Sequence, residues 1–376
     1  MNGHSEQNGG RKRIGAAAQI LLRIGLAAVL LICLGLTGSV LQVPLRRSGA
    51  PTVSISQSFP GVREEAEVIM PQAQALPAPV EEAEASAPQV QALPTPVEEV
   101  DVSSPQAQAI LEANELFRRV AASTENSAWI ENGRVRVLGS DDDGQKNTSS
   151  WRSVDMVCLG DSHIVGLTEE GSLLFAGDNE RGQLSLDTGG LSVRSIAAGP
   201  YATYAVLSDG TVRVSGASLV TDIELAQERN VLEIRASSSH VALLYADGTV
   251  KAFGSNLFGE CLLDDWRDIV MVACGYGFTL GLDGDGSVHV AGDREKIPLD
   301  GLVDVKAIAA GANNGYALNH DWTLVAVGYN GGGQLNAQLW TDVRVMAGGY
   351  MHAVGLDGEG KLLTAGSDSK GQLSVD

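Results

Sequence analysis

The chain repeats one unit seven times between Ser123 and Asp376, and this repetition constrains the fold more than any other feature. Each unit closes an alternating apolar run with a glycine, at intervals of 36 to 39 residues: Gly139, Gly177, Gly216, Gly254, Gly292, Gly328 and Gly366. Six residues before each closing glycine lies a tight turn, such as Asp209-Gly210. A period in this range predicts a solenoid, a propeller or a repeat array.

The unit that ends at Gly216 contains three short runs separated by turns. Residues 196–199 and 204–207 are apolar or small, and residues 211–216 alternate apolar and polar. Such runs, bounded by Gly and Asp-Gly, are typical of strands joined by hairpins. We therefore predict an all-β, seven-bladed β-propeller, because short strands at this spacing form small radial sheets. An open β-solenoid is the structural alternative.

Several of these motifs resemble the regulator of chromosome condensation repeat family. They are Ile-Ala-Ala-Gly at 196–199 and 308–311, Asp-Gly-Thr-Val at 209–212 and 247–250, and Gly-Asp-Asn-x-x-Gly-Gln-Leu at 177–184. The Gly-Gln-Leu ending recurs at 333–335 and 371–373, with weaker versions at Gly144-Gln145 and Gly259-Glu260. Units three and five lack this ending, so we expect their outer loops to be remodelled. The resemblance spans residues 111–376 and implies a propeller.

The resemblance is less specific for function, because one fold hosts many activities. Members that act as guanine nucleotide exchange factors carry an insertion, for which intervals of 36 to 39 residues leave no room. Blade length is similar to that of compact bacterial members such as beta-lactamase inhibitor protein II, which bind a protein partner. We expect binding of a protein or cell-surface ligand without catalysis or cofactor. The alternatives are nucleotide exchange and an enzyme whose site is built from loops over the channel.

The N-terminal segment contains a membrane-anchor candidate. Residues 24–43 form a nearly uninterrupted apolar run, long enough to cross a bilayer as a helix. Four basic residues precede this run within residues 1–23, which favours a cytoplasmic N-terminus. We predict a single-pass signal-anchor that places the propeller outside the cytoplasm. A cleaved signal peptide is the alternative.

A linker is predicted between this anchor and the propeller. Residues 44–110 are rich in Pro, Glu and Ala and contain a short repeat that begins at Pro71, Pro88 and Pro105. Proline disfavours regular structure and the glutamates repel one another, so we expect a disordered, extended spacer. The propeller domain is predicted over residues 111–376.

Charge excludes one class of partner. The net charge of the chain is −20, from 26 basic and 46 acidic residues. An acidic surface repels nucleic-acid phosphates, so we expect no nucleic-acid binding. The propeller is expected to be monomeric.

The cysteines and histidines of the repeats do not predict a metal site. Cys158, Cys261 and Cys274 occupy different repeat positions and form no Cys-x-x-Cys pair, although Cys261 and Cys274 are candidates for one disulfide. His163, His240 and His352 share one repeat position in blades two, four and seven, so they are spread around the ring. We expect each of these histidines to make a structural hydrogen bond to the neighbouring loop.

Aromatic residues mark the candidate binding surface. In an up-and-down blade, the loops after the first and third strands emerge on one face, and the Asp-Gly turns on the other. Tyr and Trp are frequent anchors of protein interfaces. The predicted ligand-binding residues are Tyr201, Tyr276, Phe278 and Tyr350 in the loops after the first strands, and Trp322, which replaces a turn glycine. Capping of the channel, and local packing of Trp322, are the alternatives. No catalytic constellation is found.

Overall fold

The computed structural model describes residues 99–374. The predicted cytoplasmic segment 1–23, the predicted membrane span 24–43 and linker residues 44–98 lie outside the described residues. Within residues 99–374, no helix is long and apolar enough to cross a membrane.

The described residues contain seven antiparallel sheets of three strands each, joined in chain order within each sheet. The blades are β1 (Val120–Ala122), β2 (Asn126–Glu131), β3 (Arg134–Gly139); β4 (Val154–Leu159), β5 (His163–Thr168), β6 (Leu173–Gly177); β7 (Val193–Gly199), β8 (Ala202–Leu207), β9 (Val212–Gly216); β10 (Val231–Ala236), β11 (His240–Tyr245), β12 (Val250–Gly254); β13 (Ile269–Gly275), β14 (Phe278–Asp283), β15 (Val288–Gly292); β16 (Val305–Ala310), β17 (Asn314–Asn319), β18 (Leu324–Gly328); and β19 (Val343–Gly348), β20 (His352–Asp357), β21 (Leu362–Gly366).

Helical elements lie before and between the blades. Helix α1 (Pro105–Asn114) and a 3₁₀ turn (Leu116–Arg118) precede β1. Helix α2 (Asp222–Leu225) lies in the outer loop of blade three, and a 3₁₀ helix (Gln334–Leu339) in that of blade six. The predicted remodelling of blade three is therefore observed.

The closing glycines are required by the backbone. In all seven blades this residue has φ between 93° and 118°, a region that other residues rarely adopt. A Cβ atom there would also lie within 2.0 to 2.7 Å of a carbonyl oxygen in the loop before the middle strand. For Gly139 that oxygen belongs to Glu125, and for Gly254 to Ser239. Conformation and close approach together explain the regular spacing of this residue in the sequence.

The sheets form a closed ring. The inner strands β1, β4, β7, β10, β13, β16 and β19 contact one another in order, and β1 contacts β19 of the last blade. At this last junction Tyr350 N donates to Ser123 O at 3.0 Å, and the His352 ring lies 3.0 Å from Ser127 Oγ. This is the arrangement of a seven-bladed propeller, and closure argues against the open solenoid.

An ordered helical segment precedes the first blade, which begins at Val120. The boundary expected after residue 110 lies inside helix α1, and the disorder expected for the linker does not extend over residues 99–110. Pro105 is compatible with the helix because it occupies the first turn, where its missing N–H has no intrahelical partner. Ser104 caps the helix through its side chain, and Ala107 and Ile110 are fully buried against blades four and five.

Candidate binding face

The two ends of the ring differ in what covers them. We call the end that carries the hairpin turns between middle and outer strands the turn face, and the opposite end the loop face. Residues 99–119 lie on the turn face. Val100 N donates to Ser208 O at 3.3 Å, Gln106 Nε2 to Ile269 O at 3.1 Å, and Asn114 Nδ2 to Val270 O at 2.8 Å. Blades three to five are therefore occupied on this side.

A buried ion cluster fixes this segment in the channel. Glu233 of β10 is fully buried, and its carboxylate accepts hydrogen bonds from Arg118, from Arg235 and from Ser195 Oγ at 2.8 Å. Arg235 also donates to Asn114 Oδ1 at 2.9 Å. Burial raises the pKa of Glu233, but the charges of Arg118 and Arg235 outweigh it, and the net pKa is lowered. The carboxylate is therefore ionised and dependent on Arg118.

This cluster was not among the predicted functional residues. Its only signal is that Glu233 and Arg235 occupy inner-strand positions where blade two has Met156 and Cys158. Two opposite charges in this inner strand indicate a buried ion pair, because the rest of the strand is apolar. The spacing of residues in the sequence does not show that Arg118 pairs with Glu233.

The loop face is open. A cavity of about 590 Å³ lies in the channel mouth and is lined by the loop after the first strand of every blade, including Ser123, Asp161, Pro200, Ser237, Tyr276, Asn313 and Tyr350. We call this cavity the basin. Deeper in the channel, a smaller cavity of about 170 Å³ is lined by Phe117, Cys158 and Arg235 among others. The channel is thus accessible from the loop face, with Phe117 and Arg118 at its other end.

Three of the predicted aromatic residues lie on the loop face. Tyr201, Tyr276 and Tyr350 are 40%, 49% and 48% exposed, and the last two line the basin. The Arg181 guanidinium lies 4.4 Å from the centre of the Tyr201 ring. These rings do not close the channel, because the basin between them is open.

Phe278 and Trp322 do not belong to this surface. Phe278 is the first residue of β14, and its ring is completely buried in the core of blades five to seven, so it cannot contact a ligand. Trp322 lies on the turn face with φ of 67°. Its half-buried ring stacks between Arg344, 3.9 Å from the ring centre, and Lys306 at 4.8 Å. Cation–π contact and core packing explain Trp322 locally.

The outer loops of five blades share one hydrogen-bonded scaffold. A buried Gln, or Glu260 in blade four, accepts from the backbone N–H two residues earlier at 2.7 to 3.1 Å. An Asn or Asp accepts from the backbone N–H five residues later at 2.7 to 2.9 Å. This explains the Gly-Gln-Leu motif as a loop scaffold. Two residues stand at the tip of each loop: Asp142-Asp143, Glu180-Arg181, Leu257-Phe258, Gly331-Gly332 and Ser369-Lys370.

The tip in blade four is the apolar member of this set. Leu257 and Phe258 are 85% and 51% exposed. The Phe258 ring meets the Tyr276 ring edge to face, with centroids 6.4 Å apart. The tip therefore extends the aromatic surface from the basin outward over blades four and five. Exposed apolar groups that adjoin one another mark interaction sites. The sequence analysis missed Leu257 and Phe258, which comparison of the five tip positions would have revealed.

The three repeat histidines make structural hydrogen bonds, as predicted, but their partners lie on the middle strand of the next blade rather than in a loop. His163 Nε2 lies 3.0 Å from Thr203 Oγ1, and His240 Nε2 lies 2.7 Å from Thr279 Oγ1. Thr203 donates its own hydrogen to Gln183 O at 2.7 Å, so the histidine is the donor in that pair and carries its proton on Nε2. Burial lowers the pKa of His163, His240 and His352 to about 4.

One Ser–His pair adjoins the basin. Ser237 Oγ lies 3.1 Å from His240 Nδ1. The imidazole is a weak base because burial lowers its pKa, and its other nitrogen faces the neutral hydroxyl of Thr279. The pair therefore lacks the charge that activates a nucleophile. Burial also raises the pKa of the Cys274 thiol in the basin to about 12.

The described residues contain no group of three or more His, Cys, Asp or Glu side chains that could hold a metal ion. Cys158, Cys261 and Cys274 are unpaired, so the candidate disulfide between Cys261 and Cys274 does not form.

Comparison with known proteins supports the fold. No family model matches the sequence, and no curated protein matches it. The entire ectodomain of the receptor kinase CR4 from Physcomitrella patens is similar, with a TM-score of 0.55 and 17% identity over 66% of this chain and 72% of that chain. The CRINKLY WD40 ectodomain of the Arabidopsis thaliana receptor kinase ACR4 gives 0.52 and 15%, over 66% and 94%.

Prp20p from Saccharomyces cerevisiae is also among the similar structures, with a TM-score of 0.36 and 21% identity over 68% of this chain and 69% of that chain. That score is too low to carry an argument. The predicted RCC1-like architecture of seven repeat blades is confirmed as a fold by the seven three-stranded sheets. At these identities the likenesses do not extend to function.

Proposed function

We propose that this protein is a membrane-anchored, exported binding module that holds a protein or cell-surface ligand on its loop face, without catalysis. One observation carries the proposal: residues 99–119 occupy the turn face at blades three to five, whereas the loop face exposes aromatic and apolar side chains around an open basin. The turn face therefore has a structural role, and the loop face is available to bind a ligand.

The exposed side chains have the chemistry of interface anchors. Tyr276 and Tyr350 present large rings with polar tips beside a concave surface, and such residues contribute most of the binding energy in protein interfaces. The preceding chain joins the propeller on the turn face through Val100 and Gln106.

Quantitative capture from the cell envelope tests the binding role. The full chain, Tyr276→Ala/Tyr350→Ala and the control Val303→Ala are compared as baits. Val303 is 63% exposed and lies between β15 and β16, at the turn-face end of the blade. We expect proteins held by the wild type and by Val303→Ala to be lost from the double tyrosine variant. Equal retention by all three baits would refute loop-face binding.

Anchoring and export rest on residues 24–43 and need a separate test. Protease added to intact cells should release a folded propeller by cutting within residues 44–98, because a spacer rich in Pro and Glu is accessible. A propeller that is cleaved from its tether only after lysis would place it inside the cell. In that case the loop face remains a candidate surface, but the proposed location is wrong.

A further inference from the structure

The loop face has two chemically different sectors. Carboxylates cluster on the loops of blades one and two, where Asp142, Asp143 and Glu180 are exposed at loop tips and Asp161 lines the basin. Among the described residues, no salt bridge reaches these four carboxylates. Two nearby cations are engaged, since Lys370 pairs with Glu125 at 3.2 Å and Arg181 stacks on Tyr201, whereas Lys146 in the outer loop of blade one makes no salt bridge among the described residues.

The second sector is apolar. Leu257, Phe258 and Tyr276 form a continuous exposed surface over blades four and five, and Tyr276 also lines the basin that Asp161 enters. The two sectors therefore meet in one cavity. Ser123 also lines this cavity, and its buried Oγ has no hydrogen-bond partner among the described residues.

From this juxtaposition we infer the chemistry of the partner, on the basis of the proposed loop-face binding. The partner is a protein segment that places a Lys or Arg side chain in the basin and an adjacent apolar residue on Leu257 and Phe258. Asp161 is the counter-ion of the cation, and the Tyr350 ring at the basin wall provides cation–π contact. The Tyr276 ring already lies 6.0 Å from Lys296 Nζ of this chain, so it contributes apolar contact. Thr124 Oγ1 donates to Asp161 Oδ1 at 2.6 Å and fixes the carboxylate for this role.

Charge and size both favour this occupant. The carboxylates on the loops of blades one and two would repel an acidic partner, because like charges brought together without counter-ions weaken binding. A cavity of about 590 Å³ accommodates a whole side chain with its hydrating water. The cation gains a fixed counter-ion in a partly desolvated cavity, which gives specificity for Lys or Arg over a neutral residue.

The test selects short cyclic peptides from a phage-displayed library on the full chain held in detergent micelles. The recovered sequences should contain Lys or Arg within a few residues of an aromatic or aliphatic residue. One such peptide is then synthesised, and its Kd is measured by calorimetry at low and high salt. We expect binding to weaken as salt rises, since the charges lie near the surface.

Matched variants assign the two contacts. Asp161→Asn keeps the hydrogen bond from Thr124 and should weaken binding about tenfold or more, whereas Glu170→Gln, in the same blade but on the turn face, should not. Leu257→Ala/Phe258→Ala should also weaken binding, and Ser369→Ala, at the same tip position in blade seven, should not. Asp161→Asn and replacement of the peptide's Lys by Gln should be non-additive in a double-mutant cycle.

The outcomes separate the two proposals. Two results would overturn the basic partner but retain the loop face as a binding surface. One is a peptide consensus that contains no Lys or Arg. The other is a Kd that does not change in Asp161→Asn but rises in Leu257→Ala/Phe258→Ala. Acidic consensus sequences overturn the basic partner as well. If peptides bind with the same Kd to Asp161→Asn, to Leu257→Ala/Phe258→Ala and to Tyr276→Ala/Tyr350→Ala, the loop face is not the site and both proposals fail.

Discussion

The turn face and the loop face are built from the same repeat but use it differently. On the turn face, helix α1 packs against blades four and five, and the buried Glu233 carboxylate pairs with Arg118 and Arg235. On the loop face, five loops share one internal scaffold, and their tip residues differ in every blade. The repeat therefore stabilises the ring where its side chains make internal contacts, and it allows the sequence to vary at the exposed loop tips.

The largest effect should come from the buried ion pair. Arg118→Ala leaves Glu233 fully buried with one arginine fewer, and we expect a loss of about 3–5 kcal/mol in the free energy of unfolding. Arg136→Ala is the control, because Arg136 pairs with Glu131 on the surface and should cost about 1 kcal/mol or less. Chemical denaturation measures both. Equal, small losses would mean that residues 99–119 are not a structural part of the turn face.

The packing of helix α1 against the turn face should also contribute to the free energy of unfolding. Ile110 is fully buried against blades four and five, so Ile110→Ala should cost about 2–5 kcal/mol through lost contacts and a cavity. Leu111→Ala, on the neighbouring and partly exposed position, serves as the comparison and should cost less. If thermal melting shifts equally for the two variants, the helix does not dock as described.

The inter-blade histidines predict a dependence on pH. The folded-state pKa of about 4 lies below the ordinary value of 6.5, so the fold favours the neutral ring. This stabilisation is complete above pH 6.5 and is lost as pH falls from 6.5 through 4, by up to about 3 kcal/mol per histidine. Carboxylates whose pKa is lowered, such as Asp178 and Asp368, affect the pH dependence of stability mainly below this range.

His352→Asn isolates the contribution of one histidine, because blades one and six carry Asn126 and Asn314 at the same position. The variant should lose less stability between pH 7 and pH 4 than the wild type, as measured by melting temperature across that range. An unchanged pH profile would show that folding does not lower the pKa of His352.

The smallest effect on stability is expected on the loop face. Leu257→Ala removes an 85% exposed side chain, so the free energy of unfolding should change by about 0.5 kcal/mol or less. The same holds for Tyr350→Ala. A large loss in either variant, measured by denaturation, would show that these side chains support the blades and would weaken the contrast between the two faces.

The sequence predicted the blades well because each marker has a local cause. The closing glycines follow from positive φ and a close carbonyl, and the repeated histidines follow from one hydrogen bond per junction. Phe278 was misplaced although the repeat phase indicates its position. It lies 14 residues before Gly292, the spacing that also separates the three repeat histidines from their closing glycines, and like them it begins a middle strand and is buried.

The sequence by itself determined the number of blades, their three-stranded form and the sign of the surface charge, because periodicity and composition are properties of the chain. Only the tertiary structure decided which end of the ring is free. Burial of Ile110, the pairing of Arg118 with Glu233 over 115 residues, and the meeting of Asp161 with Tyr276 in one basin all join residues from distant blades. Such contacts depend on ring closure, which brings together positions that no local pattern relates.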